Sequence, residues 1–459
     1  MNTKNYFELL KSACKGYDVP RYSALEKELL TLIQRCYEGN ESAVFAKHFI
    51  KQVLEYHFSD SSFYDLSDFK PLGLQGSAHL SSFSAQEGAD TLALERLACL
   101  KLNGGLGTSM GCLNPKCFIE VSDGLNFLDK VKRQHASLNN SSGCDVPLFF
   151  MNSFYTDAAM KATSESPKHM ICQHQSPRLI AGTLNTFQSP VTEREWAPPG
   201  HGDLYMTLYD SGLLESLLAQ GKDILFVSNI DNIYASYDSR LLRHFLENKL
   251  EFMMEVTQRR MQDKKGGAIA AKHGQNYLIE RAQLHEKDWP AFEDVSAFQL
   301  FNTNNLWLNL RAVKAAIEAD TLQLPLIRNK KLVDDKPVVQ LETAMGAAIQ
   351  CFEKSDCVVV DRNRFFPVKT TSDLLLLRAY EQGKLANNSS MPAITLDEAY
   401  ATVEGFNKLF ECTPDLTALN SLQIKGKVTV GPNVNLVGDV RIENNSDTAL
   451  YISNQTISG

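Results

Sequence analysis

One segment of the sequence has residue types suited to holding a phosphate. From Lys101 to Lys116 it reads Lys-Leu-Asn-Gly-Gly-Leu-Gly-Thr-Ser-Met-Gly-Cys-Leu-Asn-Pro-Lys, at the end of an apolar run that predicts a buried strand. Glycines at such a turn allow the backbone to approach a ligand and to direct N–H groups at phosphate oxygens. The glycines alone fit a structural turn equally well. Lys116 favours the phosphate site, because a cation placed there can reach the phosphates that the turn holds.

The glycine spacing excludes two common phosphate-binding fingerprints. A dinucleotide-binding turn needs a glycine where Met110 stands, and a P-loop needs a Gly-Lys-Ser or Gly-Lys-Thr that does not follow. A dinucleotide-dependent oxidoreductase is therefore disfavoured. The sequence also offers no compelling Ser–His–Asp or Cys–His arrangement, so we predict no side-chain nucleophile.

The elements around this segment predict an α/β protein with a mainly parallel sheet. We expect strands at 98–102, 146–151, 224–228 and 357–360, and helices at 127–138, 204–218, 240–246 and 310–319. Alternation of this kind places helices on both faces of a sheet, and ligands then bind beyond the carboxyl ends of the strands. Asp231 follows the 224–230 run at such an end. Taken alone, this aspartate is more typical of a turn or a helix N-cap than of a ligand site.

The chain divides into three regions. Residues 1–85 are predicted to form a helical N-terminal region, 86–385 the α/β domain with the glycine-rich segment, and 386–459 a C-terminal domain. In the last region apolar residues alternate and are punctuated by glycines such as Gly426 and Gly438, which predicts stacked coils of a parallel β-helix. A small antiparallel sheet is the alternative.

The composition narrows the class of partner. Acidic residues outnumber Lys plus Arg by 54 to 46, which gives a formal net charge of −8. A protein that binds nucleic acid or anionic membranes in general should carry a net positive charge. No apolar run approaches the roughly 20 residues of a spanning helix. The ten cysteines contain no Cys-x-x-Cys pair, which predicts reduced thiols in a cytoplasmic protein.

The glycine-rich segment resembles the signature of the eukaryotic-type UTP–glucose-1-phosphate uridylyltransferase (UDP-glucose pyrophosphorylase) family. Further similar blocks follow in the family's order at 151–154, 198–203, 226–232, 254–257, 265–267, 301–307, 340–343 and 367–373. The resemblance implies a Rossmann-like nucleotidyltransferase core with a mainly parallel, mixed sheet, followed by a left-handed parallel β-helix. It also implies Mg²⁺-dependent, reversible transfer of UMP from UTP to glucose 1-phosphate, with release of pyrophosphate.

The same resemblance implies roles for individual residues. Lys116 and Lys369 become catalytic cations that contact the nucleotide, and Asp231 becomes the Mg²⁺ ligand. The other implied nucleotide-binding residues are Leu102, Asn103, Gly104, Gly105, Gln175 and Gly200, and the implied sugar-phosphate-binding residues are His201, Asn229, Ile230, Asp231, Asn304, Glu255 and Lys265.

Simpler explanations exist for some of these residues. Lys369 could be an ordinary surface lysine, although the apolar residues 365–368 before it predict that it points inward. Asn304 lies in a polar run that is more often a capped turn. Glu255 and Lys265 fit an exposed strand end equally well.

Two departures from the family pattern limit what the resemblance implies. Residues 113–117 read Leu-Asn-Pro-Lys-Cys where the family usually has Gly-Pro-Lys-Ser, and Asn114 can adopt a turn conformation at modest cost. The C-terminus is shorter than in animal members of the family, whose β-helix carries octamer contacts, which puts an octamer in doubt. Any homo-oligomer is expected to form through the C-terminal domain. A broader-specificity UDP-sugar pyrophosphorylase and a non-catalytic nucleotide-sugar-binding protein remain alternatives.

Overall fold

The computed structural model describes residues 3–59, 63–84, 90–163, 169–385 and 391–459. The predicted domain boundaries at 85/86 and 385/386 adjoin stretches outside these described residues, and they stay predictions. Within the described chain, no helix is both long and apolar enough to cross a membrane.

A mixed, mainly parallel sheet forms the centre of the protein. In spatial order its strands are Ala78–His79, Ser355–Val359, Phe252–Gln258, Leu300–Asn309, Ile224–Asn229, Leu97–Asn103, Leu148–Asn152 and Met170–Cys172, with Lys70–Pro71, Ala268–Lys272 and Gln275–Ile279 as a side branch. Along this path Leu300–Asn309 is antiparallel to both of its neighbours, and the other pairs are parallel. The α/β class and the four predicted strands are confirmed.

The predicted helices at 127–138, 240–246 and 310–319 are confirmed. From residue 90 onward the described helices are Thr91–Leu94, Phe127–Ser142, Asp157–Lys161, Leu204–Asp210, Leu213–Ala219, Ser239–Glu247, Trp289–Phe292, Leu310–Glu318, Thr371–Glu381 and Val403–Leu409, the last of which packs against Val428–Val430. The expected single helix at 204–218 is wrong. It is two helices, because Gly212 between them adopts a left-handed conformation (φ +74°) that interrupts the helical backbone.

Short antiparallel pairings complete the central region. Ser176–Pro177 pairs with Trp196–Ala197, Lys336–Glu342 pairs with Leu179–Ile180 and Ile327–Val333, and Glu120–Ser122 pairs with Leu125–Asn126.

The N-terminal region is helical, as predicted. Its helices are Thr3–Ala13, Ala24–Glu38 and Ala43–Phe58. Phe45 and Phe49, both fully buried, pack in one cluster with Leu179 and Val339 of the central region. The helices therefore share a core with the elements near the candidate site.

The C-terminal region pairs its strands in parallel. One sheet contains Ala393–Leu396, Asp415–Gly426, Val434–Asn444 and Gln455–Ser458, and another contains Val428–Val430 and Leu450–Ile452. Gly426 is left-handed (φ +74°), and a Cβ there would lie 1.9 Å from the carbonyl oxygen of Asn444. The parallel pairing excludes the antiparallel alternative. The left-handed β-helix stays a prediction.

Candidate active site

A cavity lies at the carboxyl ends of two adjacent parallel strands. Leu102 of Leu97–Asn103 is the register partner of Asn229 of Ile224–Asn229, and both line the cavity, which has a volume of about 300 Å³. Its lining residues are Leu102, Gly104, Gly105, Lys116, Met151, Gln173, Pro198, Gly200, His201, Asn229, Ile230 and Asp231. The structure thus brings nine of the residues singled out from the sequence to one place.

The glycine-rich turn forms one wall of this cavity. Gly107 and Gly111 adopt left-handed conformations (φ +66° and +67°), and the backbone N–H of Lys116 donates to the carbonyl of Gly105 (3.1 Å), which closes the turn. No atom lies within 4 Å of a Cβ built on Gly105. The Asn103 side chain lies elsewhere, because its amide donates to the Asn152 carboxamide oxygen (2.9 Å). Asn103 is buried and is not among the residues that line the cavity, so its nucleotide contact stays a prediction.

Lys116 and Asp231 form an ion pair inside the cavity. Lys116 Nζ lies 2.6 Å from Asp231 Oδ2, and each side chain is 15% exposed. The backbone N–H of Ile230 donates to the carbonyl of Leu102 (3.1 Å), which ties the Asp231 segment to the strand end. Asp231 Oδ1 is buried and has no hydrogen-bond partner among the described residues.

The buried free oxygen of Asp231 fits a single cation. Among the described residues, no group of three or more His, Cys, Asp or Glu side chains could hold a metal ion by itself. Mg²⁺, however, usually takes only one or two carboxylates from the protein and fills its other positions with water and substrate phosphates. The donor set is therefore compatible with Mg²⁺ bound together with a phosphorylated ligand.

His201 is held in one tautomer. The backbone N–H of Met345 donates to His201 Nδ1 (3.0 Å), so the neutral ring carries its proton on Nε2. Burial lowers the pKa of His201 to about 4. Gly200 next to it is left-handed (φ +82°), and a Cβ there would lie 2.4 Å from the Thr343 carbonyl oxygen. Close packing on Thr343 thus sets a neutral hydrogen-bond donor at the cavity wall.

Glu255 does not belong to a sugar site. It is fully buried, and its carboxylate accepts hydrogen bonds from Asn305, from the Trp307 indole (3.0 Å) and from the Arg364 guanidinium (3.0 Å). Both carboxylate oxygens are occupied by this network. The expectation of a sugar contact is therefore wrong, and so is the alternative of an exposed strand end.

Asn304 lies in a bulge beside Glu255. The register between the Phe252–Gln258 and Leu300–Asn309 strands shifts after Glu255, and Asn304 is left-handed (φ +59°). Its backbone N–H donates to Asn302 Oδ1 (2.8 Å), and its own Oδ1 accepts from the Asn302 amide (2.9 Å). Asn304 does not line the cavity, and the structure shows it in a local turn-like role.

Gln175 is replaced at the cavity by Gln173. The Gln175 amide donates to the carbonyl of Gly39 (2.9 Å), and its backbone N–H donates to Glu41 (3.0 Å). These bonds direct Gln175 toward the N-terminal helices, so the expected nucleotide contact is wrong. Gln173, two residues earlier, lines the cavity, with its Oε1 3.3 Å from a Cβ built on Gly104.

Two implied lysines lie outside the lining. Lys265 is exposed in the turn before Ala268–Lys272. Lys369 is also exposed, so the expectation that it points inward is wrong; it immediately precedes Thr370, the N-cap of the Thr371–Glu381 helix. The Ser109 hydroxyl of the glycine-rich turn donates to the Lys369 carbonyl (3.2 Å), which places Lys369 beside the turn.

The sequence reasoning missed several residues that shape the site. Met151 and Pro198 line the cavity, and they stand in the family-like segments 151–154 and 198–203. Gln173 had no such signal, since the short Met170–Cys172 strand before it was not predicted. Asn232 is fully buried and bonds the Phe366 N–H (3.0 Å), which ties the Asp231 segment to the chain that leads to Lys369.

Together, the sheet, the glycine-rich turn and the Lys116–Asp231 pair define an α/β protein whose cavity is suited to a phosphorylated ligand. A sequence model of UTP–glucose-1-phosphate uridylyltransferase matches residues 45–437. The chain belongs to this family of nucleotidyltransferases.

Individual relatives agree with the family match. The enzyme of that name from Musa acuminata is 42% identical over 381 residues, which are 79% of this chain and 82% of the relative. The one from Saccharomyces cerevisiae is 40% identical over 81% of this chain and 79% of its own. A Leishmania major UDP-glucose pyrophosphorylase variant solved with UDP-glucose has a TM-score of 0.84 and 33% identity, covering 95% of this chain and 100% of that one.

Proposed function

We propose that this protein transfers UMP from UTP to glucose 1-phosphate in the cytoplasm, reversibly and with Mg²⁺, to form UDP-glucose and pyrophosphate. The observation that carries the proposal is the convergence of the glycine-rich turn, Lys116, Asp231 and His201 in one cavity of a chain that belongs to this family. The relatives' names supply the substrates.

The reaction needs alignment and positive charge more than covalent help. A phosphate oxygen of glucose 1-phosphate attacks the α-phosphorus of UTP, the new P–O bond forms, and the bond to pyrophosphate breaks. Attacker and target are both anions, so preorganised cations lower the barrier. The open space at Gly105 admits the nucleotide close to the backbone, and Lys116 lies within the same cavity.

Asp231 is the residue that would hold Mg²⁺. When bound, the ion would neutralise charge on the phosphates of the two substrates. The Oδ1 atom of Asp231 is already free of protein partners, whereas Oδ2 accepts from Lys116. Lys116 can transfer its hydrogen bond from Asp231 to a phosphate oxygen when the nucleotide binds.

The sugar phosphate is assigned to the other side of the cavity. His201 presents Nε2–H and remains neutral near pH 7, so it donates a hydrogen bond without adding charge. Asn229 lines the cavity, and its side chain has no hydrogen-bond partner among the described residues. Lys369 supplies a second cation from the edge of the glycine-rich turn. Because Lys369 is exposed, its charged side chain stays hydrated, and the free energy cost of holding it there is small before substrate binds.

Initial rates of pyrophosphate formation test the proposal. Purified protein is assayed with UTP, Mg²⁺ and the 1-phosphates of glucose, galactose or N-acetylglucosamine, with and without excess EDTA. We expect glucose 1-phosphate to be preferred, the rate to vanish with EDTA, and added pyrophosphate and UDP-glucose to yield UTP. Preference for another sugar would favour the broader-specificity alternative. Binding of UDP-glucose without turnover would favour the non-catalytic alternative.

Assembly through the C-terminal domain is a separate proposal. The Gln455–Ser458 strand lies at one edge of the larger C-terminal sheet, and Leu450 and Tyr451 nearby are exposed. Light scattering on the intact chain measures the mass in solution. A mass equal to one chain at all concentrations would contradict a homo-oligomer.

A further inference from the structure

A second cavity lies behind the candidate active site, on the other face of the sheet. It has a volume of about 360 Å³ and lies between the central strands and the Phe127–Ser142 helix. Successive side chains of a strand point to opposite faces. Lys101 and Ser228 accordingly line the second cavity, whereas the residues that follow them, Leu102 and Asn229, line the first.

Lys101 is a buried cation in the wall of this cavity. It is 6% exposed, and its ammonium donates to the Ser228 hydroxyl (2.7 Å) and to the Ala235 carbonyl (2.7 Å). An ammonium has three N–H donors, so one is left over. None of the residues that line the cavity is acidic, and no carboxylate forms an ion pair with Lys101 in the part of the chain that the structure describes.

The buried position of Lys101 disfavours its charged form. Burial lowers its pKa to about 8, Arg364 lowers it further, and Cys99 and the carboxylates of Glu255 and Asp231 only partly oppose that effect. A buried charge is costly unless it is paired. An anion that entered the cavity would supply the missing partner.

The rest of the cavity indicates what kind of anion would fit. Tyr237 lines the cavity, and its hydroxyl is buried without a hydrogen-bond partner among the described residues. Leu138, Leu148 and Phe226 give the cavity apolar walls. Ser137 is an exposed helix residue and lies at the mouth. A cavity that combines a hydrogen-bonding cation with apolar walls suits a carboxylic acid whose remaining atoms are apolar.

We propose that this cavity binds a small organic carboxylate, with the anionic group on Lys101 and the apolar body against Leu148 and Phe226. A single peptide unit joins Lys101 to Leu102, and another joins Ser228 to Asn229. Occupancy behind the sheet therefore shifts residues of the active site and changes turnover. The binding is independent of the function proposed above, whereas the change in turnover rests on it.

Calorimetric titration of the full chain with 2-naphthoate tests the binding. We expect one saturable site, and an affinity weaker by about tenfold or more when the charged hydrogen bond is lost. That loss is expected for Lys101→Met and for the neutral ligand 2-naphthamide. Ser137→Phe blocks the mouth from an exposed helix position and should weaken binding similarly. Lys116→Ala, which changes the active site, and Lys408→Met, at an exposed position, should bind like the wild type.

Each outcome decides the proposal. The proposal is overturned if 2-naphthoate shows no saturable binding to the wild type. It is also overturned if Ser137→Phe binds 2-naphthoate as tightly as the wild type does, or if the wild type binds the amide as tightly as the acid. Loss of binding in Lys116→Ala would show that the ligand binds in the active site instead. Ser137→Phe and the amide suffice if Lys101→Met does not fold. If 2-naphthoate binds but leaves the rate of pyrophosphate formation unchanged, only the coupling between the second cavity and turnover is overturned. If the protein forms no pyrophosphate at all, the proposed function is refuted, and calorimetry still shows whether the second cavity binds the carboxylate.

Discussion

Lys116 and Asp231, which are 115 residues apart in sequence, lie with Nζ and Oδ2 2.6 Å from each other at the centre of the candidate active site. The parallel pairing of Leu97–Asn103 with Ile224–Asn229 brings the two segments to the same edge of the sheet. In this arrangement the Asp231 carboxylate is paired with the Lys116 ammonium, which is the cation that would bind a phosphate. Under the proposed function, a phosphate oxygen of the nucleotide would compete with Asp231 Oδ2 for Lys116, whereas Asp231 Oδ1 is already free of protein partners.

Asp231→Asn should weaken the dependence on Mg²⁺. The neutral amide is a poorer ligand, so the Mg²⁺ concentration for half-maximal rate should rise by about tenfold or more. Titration of the initial rate with Mg²⁺ measures the change. Asp123→Asn, at an exposed turn, is the matched control and should titrate like the wild type. An unchanged midpoint in Asp231→Asn would argue against its role as the metal ligand.

Lys369→Ala should lower kcat by about 100-fold while UTP still binds. The lost cation acts on charge that develops in the transition state, and the removal of one such group typically costs about that much. Steady-state kinetics give kcat, and calorimetry gives the affinity for UTP. Lys330→Ala removes another exposed lysine and should have no effect. Wild-type turnover in Lys369→Ala would refute its assignment as a catalytic residue.

Gly105→Ala should fold normally but bind UTP poorly. No atom of the protein lies within 4 Å of the added Cβ, and the substitution itself favours folding by a few tenths to about 1 kcal/mol. The methyl group projects into open space that the nucleotide is expected to use. Thermal unfolding and calorimetric titration with UTP separate the two effects.

Gly200→Ala is the contrasting variant for Gly105→Ala. Its Cβ would meet the Thr343 carbonyl oxygen at 2.4 Å and would require a left-handed alanine, so this variant should lose stability. Unimpaired UTP affinity in Gly105→Ala would show that the nucleotide does not approach this turn.

Glu255→Gln should destabilise the protein without raising KM for glucose 1-phosphate. It removes the nearer anionic partner of the Arg364 guanidinium and leaves only Asp238 at 4.0 Å, and breaking a buried pair costs about 3–5 kcal/mol. Urea unfolding measures the loss, and kinetics on the folded protein measure KM. Glu247→Gln, at an exposed position, is the control. A raised KM with unaltered stability would restore Glu255 to the sugar site.

The protein should lose stability in acid through His201. Its pKa is about 4 in the folded protein, against an ordinary value of 6.5. Between these two values the unfolded chain binds a proton that the folded chain does not, so stability falls as the pH falls. The loss is about 2 kcal/mol at a pH of about 5.

The variant His201→Gln lacks this titrating group and isolates its contribution. Urea unfolding of the wild type and of His201→Gln is compared at a pH of about 7 and a pH of about 5. The stability of the wild type should fall more steeply than that of the variant. Parallel losses would mean that His201 is not buried as a neutral ring.

The sequence alone predicted which segments would line a phosphate site. The apolar pattern predicts two strands. The glycines and Lys116 follow the first strand, and Asp231 follows the second. In a parallel sheet the carboxyl ends of neighbouring strands meet, so local patterns predicted that the glycine-rich turn and Asp231 would lie at one edge of the sheet. A ligand role for Asp231 came only from the family resemblance.

Only the tertiary structure decided which polar side chains are free for a ligand. Glu255 and Gln175 have suitable chemistry and were assigned to the site by the family resemblance, yet their partners Arg364 and Gly39 come from more than 100 residues away and occupy them. Gln173 and the back cavity at Lys101 likewise depend on which elements pack together. A side chain's availability is set by its long-range partners, and the local order of residue types carries no record of those partners.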